Sequence, residues 1–153
     1  MQSFDFQIVV NCPLEKVFSI YQDVEWWSNR NMFGEIRWVQ GSPWEVGSRL
    51  RIETRHPIRS TIDQVVTAFE RKQRVSYISH VMGITCETRV TFIAVSAERT
   101  AVNVGMQLVG TLSRALGFAI EPAIEKATRE FFADLQKECE AAARRGAPGG
   151  SSG

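Results

Sequence analysis

The C-terminal part of the chain carries an apolar stripe at helical spacing, and this stripe restricts what the chain can fold into. Over residues 111–145, apolar side chains recur every three or four positions and charged side chains occupy most of the opposite face. Burial of such a stripe stabilises a fold by about 10 kcal/mol, at roughly 1.5–3 kcal/mol per large side chain, but only if another layer covers it. The apolar positions are Leu112, Leu116, Ile120, Ile124, Ala127, Phe131, Leu135 and Cys139.

The covering layer is predicted by short segments in which apolar and polar residues alternate. A first strand over residues 4–10 is followed by two short helices, the first opened by Pro13 and the second capped by Asp23. Alternation and turn residues then predict six further strands, over residues 35–40, 48–55, 59–70, 75–81, 84–95 and 100–109. The sequence therefore predicts an α+β fold with an antiparallel sheet of about seven strands and a long C-terminal helix.

One hairpin can be given a register from the sequence. Met82-Gly83 is a two-residue loop with glycine second, which is typical of a tight β-turn. The resulting register places a set of side chains on one face with Phe92, and places His80 and Thr85 on the other. The predicted inward pairs are Val81 with Ile84, Ser79 with Cys86, Tyr77 with Thr88, and Val75 with Val90.

Composition and net charge limit the number of domains and the kinds of partner that we expect for this chain. The 153 residues suit one domain, which we expect over residues 1–145, with residues 146–153 as a disordered Gly/Ser tail. The 18 Lys and Arg residues nearly balance 17 Asp and Glu residues, so we expect neither nucleic acid nor an anionic membrane as a partner. The predicted outer row of arginines is interleaved with glutamates and is interpreted as a solvated face: Arg37, Arg49, Arg51, Arg55 and Arg59.

The sequence carries no targeting signal and no metal-binding motif. There is no signal peptide pattern and no apolar run of the roughly 18–20 residues that span a membrane. Cys12, Cys86 and Cys139 are scattered and odd in number, which favours reduced thiols in a cytoplasmic protein over a disulfide framework. None has the spacing of a zinc site, and the sequence predicts no metal and no cofactor.

The order of these elements, with the residues that carry it, resembles the helix-grip fold of the START-like (SRPBCC) superfamily. The likeness is greatest to its polyketide cyclase/dehydrase and lipid transport branch. It spans about residues 4–140, and the matching segments are 12–18, 23–27, 46–48 and 131–135. The resemblance implies a strongly bent sheet that wraps around the long helix and leaves a cavity between them.

Small or polar residues at inward positions, such as Thr54, Ser79 and Thr88, favour such a cavity because larger side chains would fill it. Apolar walls with a few hydroxyl groups suit a small hydrophobic ligand. Tyr77, Ser79, Cys86 and Thr88 either orient the oxygen atoms of that ligand or bond to one another and to buried water, and both interpretations stay open. The predicted ligand-binding residues are Trp27, Trp38, Ile52, Thr54, Tyr77, Ser79, Cys86, Thr88, Val104, Met106, Ile124 and Phe131.

The leading hypothesis is a binding protein, monomeric or homodimeric, that transports or sequesters a small hydrophobic, amphipathic or aromatic ligand. The first alternative, implied by the resemblance, is a polyketide aromatase/cyclase or dehydratase that uses the same cavity. The second is a protein-interaction module with a collapsed cavity, which an exposed apolar patch around Trp26 and Trp44 would favour. For the tyrosine we expect Tyr77→Phe to change ligand selectivity more than folding.

Whether the chain is an enzyme stays open, since no catalytic constellation is evident. His80 is predicted on the outer face and His56 in a loop, so both are expected at the surface. Cys86 has no inward histidine to activate it and is interpreted as a small buried apolar residue.

Overall fold

The computed structural model describes the backbone of residues 2–56, 58–110 and 114–146. Within these residues the chain forms seven strands and three helices. In chain order they are β1 (Gln2–Val10), α1 (Leu14–Tyr21), α2 (Val24–Ser28), β2 (Phe33–Gln40), β3 (Arg49–Thr54), β4 (Ser60–Glu70), β5 (Arg74–Val81), β6 (Ile84–Ser96), β7 (Arg99–Gly110) and α3 (Arg114–Gly146).

The strands form one antiparallel sheet in the order β1-β7-β6-β5-β4-β3-β2, so β1 and β2 are its edges. The predicted fold class and the predicted register of the hairpin are both confirmed. Val81 pairs with Ile84, and Tyr77 pairs with Thr88, as the Met82-Gly83 turn requires. His80 lies on the outer face, where its ring contacts the hydroxyl of Thr85. Strands β4 and β5 shift register between Val66 and Ala68, which marks a bulge in β4.

The two short helices pack against the sheet, α1 on β6 and β7 and α2 on β2. In α1, Val17, Phe18 and Tyr21 are buried, as the apolar spacing of this segment predicts. Asp23 caps α2 by accepting a hydrogen bond from the backbone N–H of Glu25 at 3.0 Å. Pro13 takes the N-cap position of α1 and lies just before the first helical residue.

Helix α3 packs its two halves against different groups of side chains. Its C-terminal half contributes Phe131, Phe132, Leu135 and Cys139 to the main core, together with side chains of α1, α2 and the sheet. Its N-terminal half contributes Ile120 to a smaller cluster with Ile84, Cys86 and Leu108. Pro122 lies inside the helix. The start that we predicted at residue 111 lies outside the described residues. Of the predicted tail over residues 146–153, Gly146 is the last residue of α3, and the rest lies outside the described residues.

No helix among the described residues is both long enough and apolar enough to cross a membrane.

Candidate ligand-binding site

A cavity of about 160 Å³ lies between the concave face of the sheet and α3. Its walls include Phe131 and Phe132 from the main core, and Cys86 and Ile120 from the smaller cluster. The cavity therefore separates the two groups of side chains on which α3 packs. An apolar cavity of about 150 Å³ in an engineered protein accommodates benzene, so the space here suits a molecule of roughly one ring.

Small side chains on both layers keep this space open. Helix α3 presents Ala123 and Ala127 to the cavity, where larger residues would reach the sheet. The sheet presents Ser60, Ser79 and Thr88 opposite them. Since protein interiors otherwise pack to near crystal density, this pairing of small residues across the gap accounts for the hollow.

Most of the sequence-predicted site residues do line the cavity. They are Trp27, Ile52, Thr54, Tyr77, Ser79, Cys86, Thr88, Met106, Ile124 and Phe131. The other two lie elsewhere. Val104 is 1% exposed and is a member of the main core. Trp38 packs edge-on against Trp44 with ring centroids 5.4 Å apart, and both line a second, more open hollow beside α1 and α2.

Other residues also line the cavity, and four of those that were not predicted come from β4 or from loops. Gln64 comes from β4, whose facing the sequence left undetermined because Val65 and Val66 are both apolar. His56 and Ile58 come from the segment between β3 and β4, and Met82 comes from the β5–β6 turn. Ile58 and Met82 are 41% and 42% exposed, so they lie at the mouth of the cavity. The alternation within β3 and β5 carries no signal for side chains contributed by the connecting loops.

Most polar side chains of the wall have hydrogen-bond partners within the fold. Thr54 Oγ1 donates to the carbonyl oxygen of Ile58 at 2.7 Å. Ser79 Oγ donates to Gln64 Oε1 at 3.1 Å. Thr128 Oγ1 donates to the carbonyl oxygen of Ile124 at 2.8 Å, within α3. These hydroxyls are therefore already engaged.

Tyr77 contacts a second tyrosine behind the wall. The hydroxyl oxygens of Tyr77 and Tyr21 lie 3.1 Å apart, and both residues are buried. Tyr21 also accepts a hydrogen bond through its backbone carbonyl from Trp27 Nε1 at 2.6 Å. The tyrosine pair thus links the cavity wall to α1.

Two buried polar atoms of the wall differ from the other polar atoms in their hydrogen bonding. Gln64 Nε2 and Thr88 Oγ1 have no hydrogen-bond partner within the described part of the chain. Gln64 is 3% exposed and Thr88 is 1% exposed, so bulk solvent does not reach them. A buried polar group without a partner costs about 1–3 kcal/mol, and such groups in a cavity wall indicate where a bound molecule would supply the partner.

The titratable groups deep in the wall are neutral at physiological pH. Burial raises the pKa of Tyr77 to about 12, and the hydrogen bond from Tyr21 lowers it only in part. Burial raises the pKa of the Cys86 thiol to about 12, assisted by the negative charge of Glu121. Neither group supplies a base or a thiolate near neutral pH, which agrees with the interpretation of Cys86 as a buried apolar residue.

The two tryptophans on which the interaction-module hypothesis depends are buried. Trp26 and Trp44 are 9% and 6% exposed, so the exposed patch that this hypothesis requires is not present around them. Trp26 packs edge-on against Phe131 and under the guanidinium of Arg30. Trp44 donates from Nε1 to the carbonyl oxygen of Gln22 at 2.7 Å. These contacts bury both rings, so they form no exposed apolar patch.

Comparison with known proteins identifies the family. A family model described as polyketide cyclase/dehydrase and lipid transport matches residues 1–140. The chain belongs to this family. It is thereby a member of the START-like (SRPBCC) superfamily, whose members bind hydrophobic ligands or act as polyketide cyclases. No curated protein sequence matches it significantly.

Solved structures share the fold over nearly the whole length of this family member. The Zhui aromatase/cyclase of a Streptomyces species is 14% identical, with a TM-score of 0.80, and the match covers 97% of this chain and 98% of that one. The protein Ara h 8.0201 is 11% identical, with a TM-score of 0.75 and coverage of 92% and 98%. A START superfamily protein of Mycobacterium smegmatis is 14% identical, with a TM-score of 0.67 and coverage of 94% and 97%. At these identities the likeness establishes the fold and not the reaction.

Proposed function

We propose that this protein binds a small apolar molecule in the cavity between the sheet and α3, for transport or sequestration. The observation that carries the proposal is the cavity itself, whose walls are mainly aliphatic and aromatic with a few uncharged polar groups. Membership of a family named for lipid transport and polyketide cyclisation supports it. The three cysteines are free and buried, which supports the further proposal of a reducing, cytoplasmic compartment.

The ligand would lie against the apolar side chains of both layers. Ile52 and Met106 would contact it from the sheet, and Ile124 and Phe131 from α3. Trp27 also lines the cavity, and its ring centroid lies 5.3 Å from that of Phe131. Burial of apolar ligand surface at about 25 cal/mol per Å² would then be the main source of affinity.

Native mass spectrometry of freshly purified protein tests this proposal. We expect a mass above that of the chain, which collapses to the chain mass on denaturation and releases a small apolar compound. Ala127→Leu should fill the cavity and abolish the excess mass, because Ala127 lines it. The matched control is Ala133→Leu on the exposed face of the same helix, which should retain the ligand. Equal retention by the two variants would contradict the proposal.

The second candidate is a polyketide aromatase/cyclase. It is favoured by the fold shared with the Zhui aromatase/cyclase and by His56, which is exposed, as the sequence predicts, and also lines the cavity. Histidine is the side chain that most readily exchanges protons near neutral pH, and Tyr77 and Cys86 are protonated there. His56 would therefore be the base that removes a proton from the substrate.

A poly-β-ketone thioester tests the cyclase candidate. We expect an aromatic product from the wild-type protein, at least tenfold less from His56→Gln, and an undiminished amount from His80→Gln on the outer face. Binding of the thioester without turnover would leave ligand binding as the function and would refute the cyclase.

A further inference from the structure

We propose that Gln64 and Thr88 select an uncharged ligand that carries a carbonyl oxygen, through hydrogen bonds donated by Gln64 Nε2 and Thr88 Oγ1. The inference deepens the proposed function and rests on it, because it concerns the same cavity. Of these two wall residues, Gln64 is the one whose inward position cannot be predicted from alternation in the sequence.

Most hydroxyl groups of the cavity wall already have a hydrogen-bond partner within the fold. The hydroxyls of Thr54, Ser79 and Thr128 donate to acceptors within the fold, and the hydroxyl of Tyr77 contacts that of Tyr21. Gln64 Nε2 and Thr88 Oγ1 are left without a partner among the described residues, although each residue is more than nine-tenths buried. The Ser79 hydrogen bond holds one end of the Gln64 amide, so the other end stays directed away from it.

The register of the sheet fixes where these two groups lie. Gln64 pairs with Ser79 and Ser79 pairs with Cys86, which makes one row across β4, β5 and β6. Thr88 is two residues along β6 from Cys86 and therefore lies in the adjacent row on the same face. The backbones of Gln64 and Thr88 are two strands and two residues apart, which is about 12 Å at the usual strand spacing and rise, and the Gln64 side chain spans part of that distance. The two groups thus flank one region of the wall.

The chemistry of this region favours a neutral oxygen over a charged one. The deep polar groups are an amide and hydroxyls, and burial keeps Tyr77 and Cys86 protonated near neutral pH. No Lys or Arg is among the lining residues that the structure describes. His56 lines the exposed end of the cavity, so an ionised carboxylate or ammonium group beside Gln64 and Thr88 would lose its hydration without gaining an opposite charge, which disfavours fatty acids and amines. A carbonyl oxygen accepts hydrogen bonds and needs no counter-charge.

Three one-ring probes of similar shape test the inference. Acetophenone carries the carbonyl oxygen, ethylbenzene lacks it and benzoate is charged. We would measure the dissociation constant of each probe by calorimetry with wild-type protein and with the isosteric variants Thr88→Val and Thr88→Val/Gln64→Met. The ratio of acetophenone affinity to ethylbenzene affinity is compared between proteins, because this comparison cancels the different hydration of the two probes.

We expect the ratio to fall by about 2- to 12-fold in Thr88→Val, the range for loss of one net hydrogen bond, and by about 5- to 160-fold in the double variant, which loses two. Thr91→Val and Gln73→Met, on exposed positions, are the matched controls and should leave the ratio unchanged. Thr88→Val should also raise the melting temperature of the ligand-free protein, because it removes an unpaired buried hydroxyl. That measurement separates loss of recognition from loss of folding.

Each outcome distinguishes this inference from the proposed function. An unchanged ratio in a double variant that binds both probes would overturn the carbonyl-specific site and leave the cavity as a binding site. Lower stability of Thr88→Val would show that the hydroxyl has a partner within the fold and would also overturn it. Benzoate binding as tight as acetophenone binding would refute the neutral-ligand requirement. Failure of both neutral probes to bind wild-type protein, or binding that Ala127→Leu does not weaken, would count against the proposed function itself.

Discussion

The contact between Tyr21 and Tyr77 yields a stability prediction of defined size. Their hydroxyl oxygens lie 3.1 Å apart, with Tyr21 0% and Tyr77 8% exposed. Tyr77→Phe leaves the Tyr21 hydroxyl buried without this partner, so the free energy of unfolding should fall by about 1–3 kcal/mol. Tyr21→Phe should cost less, because Tyr77 lines the cavity and retains access to other partners there. This hydrogen bond changes the expectation that Tyr77→Phe acts mainly on ligand selectivity.

A double-mutant cycle isolates the interaction. The double variant Tyr21→Phe/Tyr77→Phe should be more stable than the sum of the single effects implies, by about 1 kcal/mol, because neither hydroxyl is then left unpaired. Urea unfolding followed by tryptophan fluorescence and by circular dichroism gives the four free energies. Additive effects to within about 0.3–0.5 kcal/mol would refute the reasoning, since they would show that the two hydroxyls do not interact.

Further predictions concern alkaline pH, the turn at the cavity mouth and the buried thiol. Burial raises the pKa of Tyr77 from 10.0 to about 12, so the contribution of this residue to stability should be complete below pH 10 and should be lost as the pH rises toward 12. Gradual tyrosinate absorbance near pH 10 without unfolding would contradict this prediction. Met82 has φ +50° in the β5–β6 turn, so Met82→Asn should raise the free energy of unfolding by about 0.5–1 kcal/mol and alter ligand affinity. Lys72→Asn, at φ +63° and outside the cavity wall, is the control that should change stability alone. The Cys86 thiol should be alkylated slowly at mildly alkaline pH, and its alkylation rate should fall further when acetophenone is bound. An alkylation rate that acetophenone leaves unchanged would place Cys86 away from the ligand.

The sheet and the inward face of the β5–β6 hairpin follow from local sequence rules. Alternation has a period of two, so once Met82-Gly83 sets the turn, every inward residue of both strands is fixed. This is why Tyr77, Ser79, Cys86 and Thr88 could be grouped before the structure was known. The long helix is predicted for the same kind of reason, since its apolar stripe has one period over most of its length.

Four of the cavity residues that were not predicted from the sequence lie where the alternation of inward and outward residues is interrupted or in loops between strands. The bulge between Val66 and Ala68 interrupts alternation in β4, so nothing local fixes which way Gln64 faces. His56 reaches the cavity from the β3–β4 connection, whose path depends on bonds from Thr54 Oγ1 to the carbonyl oxygens of Ile58 and Ser60. Trp44 is buried through long-range ring contacts that no spacing rule encodes.

The central claim is that the space between the sheet and α3 admits a small apolar molecule. Its most direct test is a nuclear magnetic resonance titration with acetophenone, observed at isotope-labelled methyl groups. We predict saturable shifts at Ile52, Met106 and Ile124, which line the cavity, and none at Val95, which is 56% exposed on β6. Shifts confined to Val46 in the second hollow, or no saturable shift at the cavity methyl groups, would contradict the account.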